Sequence, residues 1–204
     1  KTNTIIQEYI AKGYPVKLIS SGQVFPGKAR NIGIEHSTGE IIAMTDGDTI
    51  VDKNWLSELV KPIENNNTTD VVFGAYIPLI DTHFCKCQFF VSLSRPSKVV
   101  NNKFIFFDSF VSSAIRKSSL EKIGKFPEYL RAGEDTVMLK QMTKEGVNIE
   151  RAPEAIVFWR LCPNIISMLK RNLIYTYYRI HYNINTKYIY TLLFAYILCT
   201  AVLL

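Results

Sequence analysis

The sequence predicts an α/β domain over residues 1–160, a mostly parallel sheet flanked by helices, followed by an amphipathic and apolar tail over residues 161–204. Three observations carry this. Helical and strand-like segments alternate from residue 4 to residue 60, the order a doubly wound sheet produces. The run Ile41-Ile42-Ala43-Met44-Thr45 has neither helical phase nor alternation, so it reads as a strand covered on both faces. It runs into Asp46-Gly47-Asp48, at the rim where open α/β sheets hold their ligands. Finally, 204 residues at 48% hydrophobic and 21% charged suit one globular domain and not a disordered chain.

The elements follow in order. Thr4, Ile5, Ile6, Tyr9 and Ile10 have helical spacing and stop before Gly13; Val16 to Ser20 reads as a strand. Pro26 and Gly27 open a helix through Ala29, Ile32 and His36, and Gly39 closes it. Because the chain begins with Lys1 inside a helix, the domain's first strand is expected to precede it. Asp52 or Asn54 caps a helix carrying Trp55, Leu56, Leu59 and Val60, expected to break at Pro62. Asp70 to Ile77 reads as a strand whose end Pro78 demotes to an edge. Residues 81–108 show no clear period and read as a variable segment beside the site. Phe110 to Arg116 reads as a strand feeding a helix from Ser118 to Ile123, stopped by Gly124. Another helix starts at Gly133-Glu134-Asp135 and ends at Gly146, and Val147–Ile149 and Ala155–Trp159 read as two short strands.

A net charge of +6 favours an acidic partner: phosphates, anionic lipid or nucleic acid. No nucleic-acid-binding motif is present and the cations are scattered, with one late cluster, so nucleic acid is not an expected partner. Cys85, Cys87, Cys162 and Cys199 make no zinc spacing, and the first two are too close for an easy bridge. A reduced, cytoplasm-facing compartment fits that pattern. At the rim, Asp46 and Asp48 offer two hard oxygen donors. That set suits Mg²⁺ or Mn²⁺ that keeps water and takes substrate phosphates as further ligands; a plain Asp-Gly turn is the alternative.

Taken together, Gly27-Lys28-Ala29-Arg30-Asn31-Ile32-Gly33, Gly39-Glu40-Ile41-Ile42, Asp46-Gly47-Asp48 and Gly133-Glu134-Asp135 resemble, in order and spacing, the family 2 glycosyltransferases of GT-A (Rossmann-like) fold. The resemblance covers roughly residues 1–160. It implies an inverting, metal-dependent transferase that moves a sugar from a nucleotide-diphosphate donor to a hydroxyl acceptor. Asp48 is then the direct metal ligand, with Asp46 nearer the ribose or reaching it through the metal. Arg30 attends the donor phosphates, Lys28 joins the nucleotide-sugar site, and Asn31 holds the loop or reaches the base. A departing diphosphate needs its charge neutralised, and the acceptor hydroxyl must lose a proton as it attacks. Asp135 is the candidate base, with Glu134 beside it; the alternative for Asp135 is a helix N-cap. Trp159 and Arg160 stand where such enzymes contact acceptor or diphosphate, or Trp159 fills core. The family's fuller Gln-x-x-Arg-Trp of processive polymerases is absent from the sequence.

From Pro163 the character changes. Ile165, Ile166, Met168, Leu169, Leu173 and Ile174 are interleaved with Lys170, Arg171, Arg179 and several tyrosines, as at a membrane interface. The seventeen residues from Tyr188 to Leu204 carry no charge, the short limit for a spanning helix. The expectation is a membrane-associated enzyme with its catalytic domain facing the cytoplasm and a lipid-linked or cell-surface saccharide as acceptor. The rivals are a sugar nucleotidyltransferase, a catalytically silent nucleotide-binding module at a membrane and, for the tail, a buried C-terminal helix.

Overall fold

The computed structural model describes residues 2–92, 98–100, 103–106 and 108–184. Two helices lead, α1 (Thr2–Ala11) and α2 (Pro26–His36), the second opened by Pro26 in its first turn. Then come β1 (Ile41–Thr45), β2 (Thr49–Val51), α3 (Trp55–Asn65), β3 (Val71–Leu79), α4 (His83–Ser92), β4 (Lys98–Val100) and β5 (Lys103–Ile105). β6 (Ser112–Arg116), α5 (Lys117–Ile123), α6 (Glu134–Lys144), β7 (Ile149–Arg160) and α7 (Ile165–His181) complete the described chain.

The main sheet has five strands in the order β1-β6-β3-β7-β2, with β4 and β5 forming a separate hairpin. Only β3 and β7 run parallel; β1 with β6, β6 with β3, and β2 with β7 are antiparallel. The expected mostly parallel sheet is therefore a mixed one. β6 explains the difference. Ser112 to Ile115 are all buried, so this strand has the doubly covered pattern of a parallel sheet while running against both neighbours. Burial encodes how many faces are covered and leaves direction open.

Other departures have local causes. Val16 to Ser20 forms no strand: β1 is an edge strand of the sheet and does not pair with them, and Val16 is exposed. α3 continues through Pro62, because Leu59 and Ile63 are fully buried beneath the sheet and hold the last turn down. Arg116 then donates to the carbonyls of Ile63 (2.6 Å), Asn66 (3.2 Å) and Thr69 (2.8 Å), satisfying acceptors around the helix end. β3 is central where Val71–Phe73 pair with both β6 and β7, and at Pro78 it pairs with β7 alone, in keeping with the edge-like end expected there. The two short strands expected near the end are one strand, β7. Its partners on β3 jump from Ala152 to Ile156, leaving Pro153-Glu154-Ala155 as a bulge where a missing N–H does no harm.

Helices cover both sheet faces. Phe73, Phe110, Ile115, Phe126, Met138 and Met142 pack on one side, and Leu59, Ile63, Val72, Ala114 and Ala155 on the other. α7 begins at Asn164, whose side chain accepts the Ser167 N–H at 2.9 Å. It lies back on the domain through Tyr178 against Phe25 and Tyr182 against Tyr129. The uncharged run from Tyr188 lies outside the described residues; among those described, no helix is long and apolar enough to cross a membrane.

Candidate active site

The site is assembled by α2. Gly27 lets the helix lie directly on the loop that precedes α6, since a Cβ there would stand 2.3 Å from the Pro127 carbonyl oxygen. Asn31, buried, then clamps that loop. Its Nδ2 donates to the Phe126 carbonyl (2.9 Å) and to Glu128 (3.0 Å), and its Oδ1 accepts the Phe126 N–H at 2.9 Å. Of the two roles expected for Asn31, holding the loop is the one these contacts describe.

With loop and helix joined, Arg30 faces three carboxylates drawn from distant parts of the chain. Its Nη1 donates to Glu134 Oε1 (2.7 Å) and Asp135 Oδ1 (3.0 Å), while Nη2 donates to Asp46 Oδ1 at 3.0 Å. The guanidinium also lies 5.5 Å from the Phe126 ring centroid and 6.0 Å from that of Phe110. Burial alone would lower its pKa, but Asp135, Asp46 and Glu134 together raise it, so the cation is fixed. One Arg thus joins the end of β1 to the start of α6.

Asp135 is the group whose protonation this arrangement tunes. Burial pushes its carboxyl up, Arg30 pulls it down, and Glu134 and Asp46 push it up again, to about 7. The helix N-cap is Gly133, in the left-handed conformation at φ +89°, and not Asp135. Asp135 sits in the first helical turn with its side chain on Arg30, so the capping alternative does not describe it. Glu134 is nearly buried. A cavity of 590 Å³ opens between α2 and β1, lined by Ala29, Arg30, Gly33, Thr45, Asp46 and Gly47 among others. A second, of 330 Å³, lies behind α2 against α5 and contains no member of the acidic cluster.

Residues 1–124 match the family model for glycosyl transferase family 2. The chain belongs to glycosyl transferase family 2. It is 28% identical over 142 residues to Glycosyltransferase AglE of Haloferax volcanii, an alignment covering 68% of this chain and 45% of the relative. Among solved structures it resembles the mannosyltransferase PcManGT from Pyrobaculum calidifontis in complex with GDP-Man and Mn²⁺, at TM-score 0.51 and 18% identity, over 80% of this chain and 45% of that one. It also resembles S. aureus TarS 1–349, at TM-score 0.53 and 20% identity, over 78% and 47% of the two chains. The chain thus spans less than half the length of these relatives. The two structures share its GT-A-like fold.

In this family 2 chain the remaining expected residues fall as follows. Asp48 is exposed at the turn after β1 and makes no ion pair or hydrogen bond among the described residues. No three or more His, Cys, Asp or Glu side chains among the described residues are arranged to hold a metal alone. Asp46 and Asp48 nonetheless fit a hard divalent cation that takes its other ligands from water and substrate oxygens. Lys28 lies 4.0 Å from Glu128, both half exposed. Trp159 packs edge-on against Tyr76 at 6.4 Å, and Arg160, opposite Leu79, is exposed.

Three residues near the cluster escaped sequence reading. Tyr76, on β3, has its hydroxyl pushed up to about 12 by burial and by Asp108 and Asp135. Tyr175, on α7, is raised by burial and, against the opposing pull of Arg171, by Glu134, Asp135 and Asp46. Arg171 lies over the Trp159 ring at 5.3 Å. The only signal in the sequence was the spacing of Arg171 and Tyr175 one helical turn apart, on a helix that reads as membrane-facing.

Proposed function

We propose that this chain is the catalytic part of an inverting, metal-dependent glycosyltransferase that uses a nucleotide-diphosphate sugar and a hydroxyl acceptor. The observation that carries the reading is the convergence of Asp46, Glu134 and Asp135 on Arg30, with Asp135 poised at about 7. A carboxylate at that value is ionised for much of its time near neutral pH and is still basic enough to take a proton from an attacking hydroxyl. Asp135 Oδ accepts that proton as the acceptor oxygen bonds to the anomeric carbon, and the bond from that carbon to the diphosphate breaks with its electron pair leaving on the diphosphate. One positioned base with no covalent intermediate corresponds to a single displacement with inversion. A divalent metal at Asp48 and Asp46 supplies Lewis-acid neutralisation of the diphosphate oxygens when bound. The cavity beside Arg30 and Asp46 is of a size for the donor. Membership in family 2 favours this over a nucleotidyltransferase.

A membrane-proximal saccharide or lipid-linked acceptor, on the cytoplasmic side, fits the tail. On α7 the side chains of Ile166, Leu169, Leu173, Tyr177 and Ile180 recur at three- and four-residue steps and are all exposed, with Lys170 and Arg179 on the same helix.

The test is calorimetric titration of UDP, GDP and dTDP with and without Mn²⁺, on wild type and Asp48→Ala. Binding that needs both the metal and Asp48 supports a donor site. If no nucleotide binds, or binding ignores Asp48, the transferase reading fails.

A further inference from the structure

The charge arrangement of the site leaves a question about phosphate. Arg30 was expected to meet the donor's diphosphate, yet each of its terminal nitrogens is bound by carboxylate oxygens, and its side chain is 12% exposed. To serve a phosphate it would have to abandon three buried or half-buried carboxylates, at a cost no new contact of the same kind recovers. A diphosphate approaching Glu134, Asp135, Asp46 and Asp48 also meets like charge. A second protein cation near the site would offset that charge alongside any metal.

α7 supplies one. Its residues Arg171, Tyr175, Tyr178 and Tyr182 follow one another at three- and four-residue steps, so they share a face. Tyr178 meets Phe25 at 6.3 Å, just before α2, and Tyr182 meets Tyr129 at 5.1 Å on the loop that α2 clamps. That face touches the start of α2 and the clamped loop through Tyr178 and Tyr182, with Tyr175 and Tyr182 themselves still 44% and 40% exposed. The exposed stripe from Ile166 to Ile180 lies on the opposite side of the same helix. Arg171, on the docked face, stacks on Trp159 at 5.3 Å; Trp159 in turn meets Tyr76. The ring fixes the guanidinium while leaving its N–H groups unspent, since Arg171 makes no ion pair among the described residues. The contrast with Arg30 is plain: one guanidinium is consumed by carboxylates, while the other is held by a ring and, among the described residues, makes no ion pair.

We propose that Arg171, held on Trp159 at the edge of the acidic cluster, binds the diphosphate of the nucleotide donor and of the nucleoside diphosphate product. This rests on the transferase reading above. Tyr175, one turn further along α7, has its hydroxyl raised by burial, lowered by Arg171 and raised again by Glu134, Asp135 and Asp46. On this proposal α7, by sequence part of the tail and outside the lining of the cavity between α2 and β1, contributes a side chain to the donor site.

The experiment takes whichever of UDP, GDP and dTDP binds wild type most tightly in Mn²⁺, together with its monophosphate, and titrates both into Arg171→Ala, Arg171→Lys and Lys170→Ala. Lys170 is the exposed neighbour with the same charge. The expected result is diphosphate binding weakened about tenfold or more in Arg171→Ala, partly recovered in Arg171→Lys and unchanged in Lys170→Ala, with monophosphate binding nearly constant throughout. Unchanged thermal unfolding midpoints of Arg171→Lys and Lys170→Ala establish that these proteins are folded. Equal weakening of mono- and diphosphate, equal loss in Lys170→Ala, or no loss in Arg171→Ala overturns the assignment. If binding depends on Asp48 but not on Arg171, the assignment falls while the transferase reading stands. If no nucleotide binds wild type, both fall.

Discussion

Asp135→Asn is expected to produce a protein that is more stable at alkaline pH and much slower in sugar transfer. In the native protein burial favours the neutral carboxyl, raising it from 3.8 to about 7. The sign follows from linkage. Between those two values the unfolded chain has already released the proton that the native state retains, so stability falls as pH rises from about 4 to about 7 and levels off above. At 1.36 kcal/mol per pH unit the full difference is about 4 kcal/mol. With the Asp135 side chain 33% exposed, solvent screening reduces this to roughly 2 kcal/mol. Asn has the same shape, keeps an oxygen for the Arg30 donor and carries no charge to desolvate, so it removes the penalty at high pH only.

The assay is thermal unfolding from pH 5 to pH 8.5 on both proteins. For a domain of this size about 2 kcal/mol corresponds to roughly 4–8 °C at the midpoint. Wild type should lose stability from pH 5 to about 7 and level off above, Asp135→Asn should lose less, and the curves should be furthest apart at pH 8 and above. Sugar transfer should fall by a factor of about 10² or more in the variant, and the acidic limb of wild-type kcat/KM should have its midpoint near 7. Parallel stability curves, or a variant that is no more stable at pH 8.5, would refute the claim that burial sets the protonation of Asp135.

Three other outcomes follow from the same geometry. Asn31→Leu strands the Phe126 N–H and carbonyl in a buried joint and should cost about 2–4 kcal/mol in urea unfolding, with catalysis falling as the α6 loop loosens. Gly27→Ala pushes a methyl into the Pro127 carbonyl and should cost about 1–3 kcal/mol while leaving helix content, read by circular dichroism, unchanged. Asp48→Ala, exposed and without a hydrogen-bond or ion-pair partner among the described residues, should leave the unfolding midpoint within about 1 °C of wild type, so that any loss of metal-dependent nucleotide binding is a loss at the site.

What the sequence revealed was the local part of the design. An apolar run ending in two aspartates, a helix opened by Pro26-Gly27 and a helix begun by Glu134-Asp135 are each written in a few consecutive residues, and each forms as expected. Pairing was hidden. β6 has the burial of a parallel strand and runs antiparallel, because alternation and apolarity report coverage of faces while direction depends on where the preceding chain enters. The β7 bulge was equally unreadable: Pro153 marked a break, and only the register with β3 reveals one strand on both sides of it. The meeting of Arg30 with residues 104 and 105 positions away depends on the Asn31 clamp and the Gly27 approach, which act through tertiary contact. Arg171 was legible as a charge, and its stacking on Trp159 was not, because that contact joins β7 to α7 through tertiary packing.

In the transfer reaction proposed above, the shared cation lets the base Asp135 and the donor site stand close together. Three carboxylates on one guanidinium leave the cluster negative when Asp135 is ionised, and a diphosphate developing charge beside it would be repelled. Proton transfer to Asp135 removes one negative charge from the cluster in the same step in which the leaving diphosphate gains one. The two changes offset each other locally, so the barrier is spared the work of separating new charge from old. Such compensation operates only if Asp135 starts ionised and ends neutral at the working pH. A group held near 7 by burial, and kept from rising further by Arg30, meets that condition on both sides of the reaction.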